Sequence, residues 1–239
     1  MPVRVLDLQD LAGLAPGSQV GFQLVVRKRG AHAEKIRSGP RSAGPNTGSD
    51  SLALAPPREK LSLGSAVPDF QLVNQAGRAV RLSEFRGKVV AVNFLYTRCP
   101  LPEVCPRLAA SFAQLQRRFR QQLGSDLVLL SITLDAQFDT SRVLAEYGRR
   151  WGAEPAGWNL LTGSPEVIEK IASQFGLVYW PEEGLLTHTS QTGVVGRDGI
   201  LKALIEGSAY EEEELGDLIA RQLEEVDGSQ HRALGFAGQ

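Results

Sequence analysis

Cysteine, methionine and histidine are scarce in this chain: two, one and three in 239 residues. Two cysteines cannot build the disulfide framework that holds small secreted domains together. Positive charge is not in surplus either, with 26 Lys and Arg against 27 Asp and Glu, a net charge of −1. That removes the electrostatic case for nucleic acid, whose binders concentrate basic residues. No apolar run approaches the roughly 18–20 residues of a membrane-spanning helix. The opening Met1-Pro2-Val3-Arg4-Val5-Leu6-Asp7 carries no hydrophobic stretch of the signal-peptide kind. What remains is an ordinary globular balance, 42% hydrophobic and 22% charged. The length fits one sizeable domain with something attached. Two cysteines close together in such a chain point to chemistry rather than scaffolding.

Composition divides the chain into four parts. Residues 1–30 have β character, with Val3, Val5 and Leu6, a turn at Pro16-Gly17-Ser18, and the run Val20 to Val26. Two or three strands bury too little to stand alone, so this is expected to be a piece of a domain or an added strand pair. Residues 31–62 read as a flexible linker, because eleven of the thirty positions from 31 to 60 are Gly, Pro or Ser. Residues 63–226 alternate strand and helix, and 227–239 form a tail.

Within the main part, Asp69 to Val73 and Ala79 to Leu82 read as a hairpin across Asn74-Gln75-Ala76-Gly77. Lys88 to Leu95 is an almost continuous apolar run, as a strand buried on both faces requires. Leu108, Phe112, Leu115 and Phe119 recur at helical spacing up to Gly124. A second buried strand is expected over Asp126 to Leu134, with helices over Thr140 to Tyr147 and Pro165 to Phe175. A hairpin joins Thr189–Val195 to Ile200–Ile205, and a last helix covers Glu211 to Leu223. This order predicts an α/β sheet with helices on both faces.

The informative stretch is Tyr96-Thr97-Arg98-Cys99-Pro100-Leu101-Pro102-Glu103-Val104-Cys105-Pro106. It follows a buried strand and precedes a helix, so both cysteines lie near a helix N-terminus, which favours thiolate. Thiolate attacks disulfides and also ligates soft metals, and the spacing by itself does not choose. A free cysteine is commonly a small buried hydrophobe, but a proline-laden loop is a poor place to hide two. His188, just before the later hairpin, is expected to return beside this loop and supply an imidazole. A Cys₂His set suits Cu(I), tolerates Cu(II) and accepts Zn(II). Arg98, a fixed cation next to Cys99, would either lower its pKa further or anchor the loop.

Residues 63–226 resemble the Sco/SenC family of thioredoxin-fold copper proteins. The likeness runs through Val67-Pro68-Asp69-Phe70, Phe85-Arg86-Gly87-Lys88-Val89-Val90, and Asn93-Phe94-Leu95-Tyr96-Thr97-Arg98-Cys99-Pro100. It continues through Ser131-Ile132-Thr133-Leu134-Asp135, His188 and the turn Gly196-Arg197-Asp198-Gly199. The resemblance implies a thioredoxin-like α/β sandwich with a central mixed sheet. It implies a monomeric metallochaperone rather than an enzyme, carrying copper to the copper-bearing subunit of cytochrome c oxidase in an extracytoplasmic compartment. The family's copper ligands fall on Cys99, Cys105 and His188. Its acidic residue after the second strand falls on Asp135, with Asp139 the alternative, in a role beside the ligands or toward a partner.

One departure stands out. The family usually leaves three residues between its cysteines, and here five intervene, Pro100 to Val104. The larger loop bears on copper geometry and redox potential more than on the fold. The N-terminal piece is similar to the second half of a CusF-like copper-binding β-barrel, with Met1 where one of its methionines would stand. A true start upstream would restore the missing half and an export signal.

Three other readings stay open. A thiol–disulfide oxidoreductase or peroxiredoxin-like protein would use Cys99 and Cys105 directly. A sensor would need a partner surface, for which Trp151, Trp158 and Trp180 are candidates. A structural zinc site would lack a fourth ligand, since His32 lies in the linker and His231 in the tail. The run Glu211-Glu212-Glu213-Glu214 opens a helix and suits its dipole.

Overall fold

The structure is a computed structural model that describes residues 4–5, 20–27, 30–38, 60–182, 185–210 and 212–225. The chain divides into two units, Met1–Ala53 and Leu54–Gln239.

Among the described residues, the first unit holds three strands, β1 (Arg4–Val5), β2 (Val20–Arg27) and β3 (Gly30–Ser38). β3 is central, antiparallel to β2 and parallel to β1. It extends to Ser38, well into the stretch expected to be linker. The reason lies in where the breakers fall: the first Gly, Pro or Ser after residue 30 is Ser38 itself, so nothing interrupts pairing before it. Residues 39–59, Met1 and the tail from 226 lie outside the described residues.

The second unit is built on a seven-stranded sheet. Its strands are β4 (Gln71–Asn74), β5 (Ala79–Arg81), β6 (Val89–Leu95), β7 (Leu127–Thr133), β8 (Trp158–Thr162), β11 (Gln191–Val195) and β12 (Leu201–Glu206). They stand in the order β12-β11-β6-β7-β8-β4-β5. β6, β7 and β8 are parallel, while β11, β12, β4 and β5 pair antiparallel to their neighbours. Between them come β9 (Tyr179–Glu182) and β10 (Leu185–His188), a two-stranded ribbon of its own. The helices are α1 (Cys105–Arg118), α2 (Ser141–Trp151), α3 (Pro165–Gln174) and α4 (Glu212–Glu224). A 3₁₀ turn, Leu82–Phe85, precedes β6.

Every residue of β6, β7 and β8 is buried. Alternate side chains therefore serve two cores. Val89, Ala91 and Leu95 with Leu127, Leu129, Trp158 and Leu160 meet α1, α2 and α4. Val90, Val92 and Phe94 with Val128, Leu130 and Ile132 meet α3 and the segment from Val67 to Leu82. Helices thus cover both faces, and the sandwich is thioredoxin-like. Gly193 in β11 permits a close approach here, since a Cβ there would stand 2.5 Å from the Phe175 ring.

Local signals set the helix ends. Thr140 caps α2 through its side chain and Gly152 closes it with a left-handed φ of 68°. α1 starts at Cys105 rather than Leu108, because Pro106 in the first turn needs no intrahelical N–H partner. It ends at Arg118, short of the expected Leu123. β8, β9 and β10 are additions to the expected order. The five residues of β8 lie between Gly157 and Gly163, and Pro181 interrupts β9.

Leu129 is fully buried at the middle of the central strand β7. Leu129→Ala is expected to cost about 2–5 kcal/mol, read as a lower denaturant midpoint with an unchanged slope.

Candidate metal centre

β6 ends at Leu95, and the chain then turns through a loop before α1 begins at Cys105. Two turns shape the loop: Cys99 N–H donates to Tyr96 O at 3.3 Å and Val104 N–H to Leu101 O at 3.0 Å. On one side the loop is fastened to the β7–α2 turn. Arg98 pairs with Asp135 through Nη2 at 2.5 Å and Nε at 3.0 Å, and its guanidinium lies 4.2 Å from the Phe138 ring centre. Beneath this pair, Thr97 donates its N–H (3.0 Å) and its hydroxyl to the Asp139 carboxylate. On the other side, Ser208 Oγ donates to Glu103 O at 2.9 Å.

These ties bring the two sulfurs together, one buried in the first turn of α1 and one half-buried in the loop. His188 ends β10, whose register sets it opposite Tyr179. Thr189 N–H bonds back to Val178 O at 2.9 Å, closing the base of the ribbon. The His188 Nδ1 lies 2.8 Å from Thr189 O. A carbonyl only accepts, so Nδ1 carries a proton, and Nε2 is the nitrogen that faces the sulfurs. Cys105 Sγ is 3.4 Å from that Nε2, and the edge of Tyr96 braces the imidazole ring.

Cys99 Sγ, Cys105 Sγ and a His188 nitrogen all lie within 4.8 Å of one another. Two donors each about 2.3 Å from one ion stand at most about 4.6 Å apart, so the set lies close to the reach of a single soft cation. Both sulfurs are free thiols, and Cys99 and His188 keep partial access to solvent.

The two thiols are not equivalent. A hydrogen bond from Cys105 holds the Cys99 thiol well below its ordinary pKa, with further help from His188 and the Cys105 backbone N–H. The same shared proton, together with burial, pushes Cys105 up. The expectation that the helix N-terminus would lower both is therefore corrected. Burial beside a thiolate outweighs the dipole at Cys105. Burial also raises Tyr96, whose phenol stands beside the Cys99 charge.

Of the residues singled out in the sequence, Cys99, Cys105 and His188 converge. Arg98 and Asp135 pair with each other at the outer edge of the loop and are not in the donor cluster. Trp158 is wholly buried and serves the core, while Trp151 and Trp180 are partly covered. His32 belongs to β3 of the other unit, and His231 lies outside the described residues. Tyr96 was quoted only as part of a motif, and Thr97 carried no signal because its partner is 42 residues away.

The sequence model of the SCO1/SenC family matches residues 59–224. The chain belongs to the SCO1/SenC family. Among relatives of that family, the mitochondrial SCO1 homolog 1 of Arabidopsis thaliana is 28% identical over 138 residues. That match takes in 58% of this chain and 39% of the relative, so the chain spans about two fifths of its length. A SCO1/SenC family lipoprotein of Bacillus anthracis superposes with a TM-score of 0.61 at 26% identity, over 68% of this chain and 97% of that one. The copper-bound ScoI structure of Arabidopsis thaliana shares the fold, with a TM-score of 0.58 and 23% identity over 68% and 100% of the two chains.

The split between the thiols makes a prediction for the reduced, metal-free protein. An ordinary thiol is well under about 1% thiolate at pH 6, but a depressed Cys99 stays ionised as pH falls past that point. Iodoacetamide at pH 6 should label Cys99 at close to its pH 8 rate and leave Cys105 for last, as peptide mass spectrometry would show. Equal labelling, or a rate that collapses at pH 6, would contradict the assignment.

Proposed function

We propose that this chain is a copper metallochaperone, holding one copper ion on Cys99 Sγ, Cys105 Sγ and His188 Nε2 and passing it to a second protein. The observation that carries the reading is the three-donor cluster at the mouth of a helix N-terminus, in a member of the SCO1/SenC family. Two thiolates with one imidazole form a soft set that suits Cu(I) and accepts Cu(II). Three donors with partial solvent access leave room for an incoming ligand, which transfer by ligand exchange requires. The protein's part is to pre-arrange the donors: the Thr189 carbonyl fixes the imidazole tautomer, and Cys105 shares its proton with Cys99 until metal displaces it. The recipient is the copper-bearing subunit of cytochrome c oxidase and the setting extracytoplasmic, both by extension from the family. No described helix is long and apolar enough to cross a membrane.

One observation favours a second reading on the same residues. A half-exposed thiolate backed by a buried, protonated thiol is also the arrangement of a dithiol reductant, with Cys99 attacking and Cys105 resolving.

A Cu(I) competition titration of the reduced protein against a chromophoric chelator separates the two. One copper per chain held far below micromolar is expected. Cys99→Ser and Cys105→Ser should each abolish tight binding, and His188→Ala should chiefly loosen Cu(II). Copper binding that survives all three substitutions would end the copper reading. Absence of cysteine-dependent binding in the parent would move the function to thiol exchange.

A further inference from the structure

Asp139 is wholly buried, yet it belongs to no ion pair among the described residues. Its carboxylate accepts from Thr97 N–H (3.0 Å), the Thr97 hydroxyl and the Thr133 hydroxyl (2.5 Å). Thr133 also accepts from Asp135 N–H at 3.0 Å, so the same hydroxyl shapes the turn that presents Arg98's partner. Three donors converge on one buried anion, from the end of β7 and from the loop two residues before Cys99.

Burying a carboxylate is expensive unless it is well paired. Here burial does push the Asp139 carboxyl up, against the lowering pull of its hydrogen bonds. A hydrophobic residue would fill the space at less cost but could not grip a backbone N–H. Asp139 is also the residue just before the α2 cap, Thr140, so its own backbone is held by the helix start. The outer tie, Arg98 to Asp135, is solvent-exposed on the Arg98 side and worth little alone. The inner tie is the one that water cannot weaken.

We propose that Asp139 is a positioning residue for the metal centre: by gripping both hydrogen-bond donors of Thr97 it sets the direction in which the chain delivers the Cys99 sulfur toward Cys105. This deepens the copper reading above, but the grip acts on the metal-free protein as well, so the two stand or fall on different measurements.

The test is the equilibrium of the metal-free dithiol with oxidised glutathione, in which the Cys99–Cys105 disulfide forms as two glutathione thiols are released. Its constant reports the effective concentration of one sulfur at the other. Asp139→Asn is expected to lower that concentration about tenfold, as loss of fixed orientation does. Thr97→Val keeps the charge and loses one donor, and should produce part of the same loss. The double variant should do no more than Asp139→Asn does. Leu144→Ala, a buried core change on α2, controls for lost stability and should leave the constant within about twofold. Should Asp139→Asn fail to fold, Thr97→Val and Thr133→Val carry the same comparison.

A parental constant in Thr97→Val would mean that only the charge matters, and additive losses in the double variant would mean that the two residues act independently; either would overturn the proposal. So would an effect in Asp139→Asn that Leu144→Ala reproduces at equal loss of thermal stability. The Cu(I) titration of the same proteins then reports the copper reading separately. A parent that binds no copper through its cysteines would refute that reading and leave the glutathione result to decide the role of Asp139.

Discussion

The site depends on how β6 is paired. It runs parallel to β7 and antiparallel to β11, with Asn93 opposite Ser131 on one side and Thr192 on the other. Because β6 and β11 oppose each other, the end of β6 and the approach to β11 fall at the same edge of the sheet. The first carries the cysteine loop and the second follows His188 by only two residues. Because β6 and β7 run together, the turn with Asp135 and Asp139 also opens at that edge. The hydrogen-bond register of one strand thus gathers groups from three distant parts of the chain, with no contact between them needed beforehand.

Much of this frame was legible in the sequence, and the reason is local. β6 and β7 are unbroken apolar runs, which a strand covered on both faces requires. The ends of α2 and α3 are marked by Thr140 and Ser164 as caps. The two cysteines stand six positions apart beside a proline-rich loop and so announce themselves. What escaped was either too short or too interrupted. β8 has five residues between two glycines, and the β9–β10 ribbon contains Pro181. Missing the ribbon put His188 just before a core strand instead of at the base of a separate ribbon.

The electrostatics were legible only in outline. Sequence places both thiols near a helix N-terminus and predicts the same fate for each. The structure separates them because one is buried and donates while the other is half-exposed and accepts. Arg98 could by its position either hold Cys99 ionised or anchor the loop. Its guanidinium is occupied by Asp135 and Phe138, and the thiolate is held by Cys105 and His188. Tertiary pairing at a separation of 37 or 42 residues leaves no trace in local pattern, and these are the contacts that shape the loop.

The β9–β10 ribbon lies outside the seven-stranded sheet. Its four paired positions, Leu185 to His188 against Tyr179 to Glu182, share no ladder with β11 or any other strand. The two sulfurs, by contrast, are anchored to β6 and α1 at the centre of the molecule. The donor set is therefore mounted on two separate supports, the central sheet with α1 and the ribbon. His188 sits at the base of its ribbon, beside the Thr189–Val178 tie, and not at the far end where Leu185 meets Glu182. The alignment of the imidazole with the sulfur pair then rests on side-chain packing between the two supports, as where the Tyr96 ring meets His188.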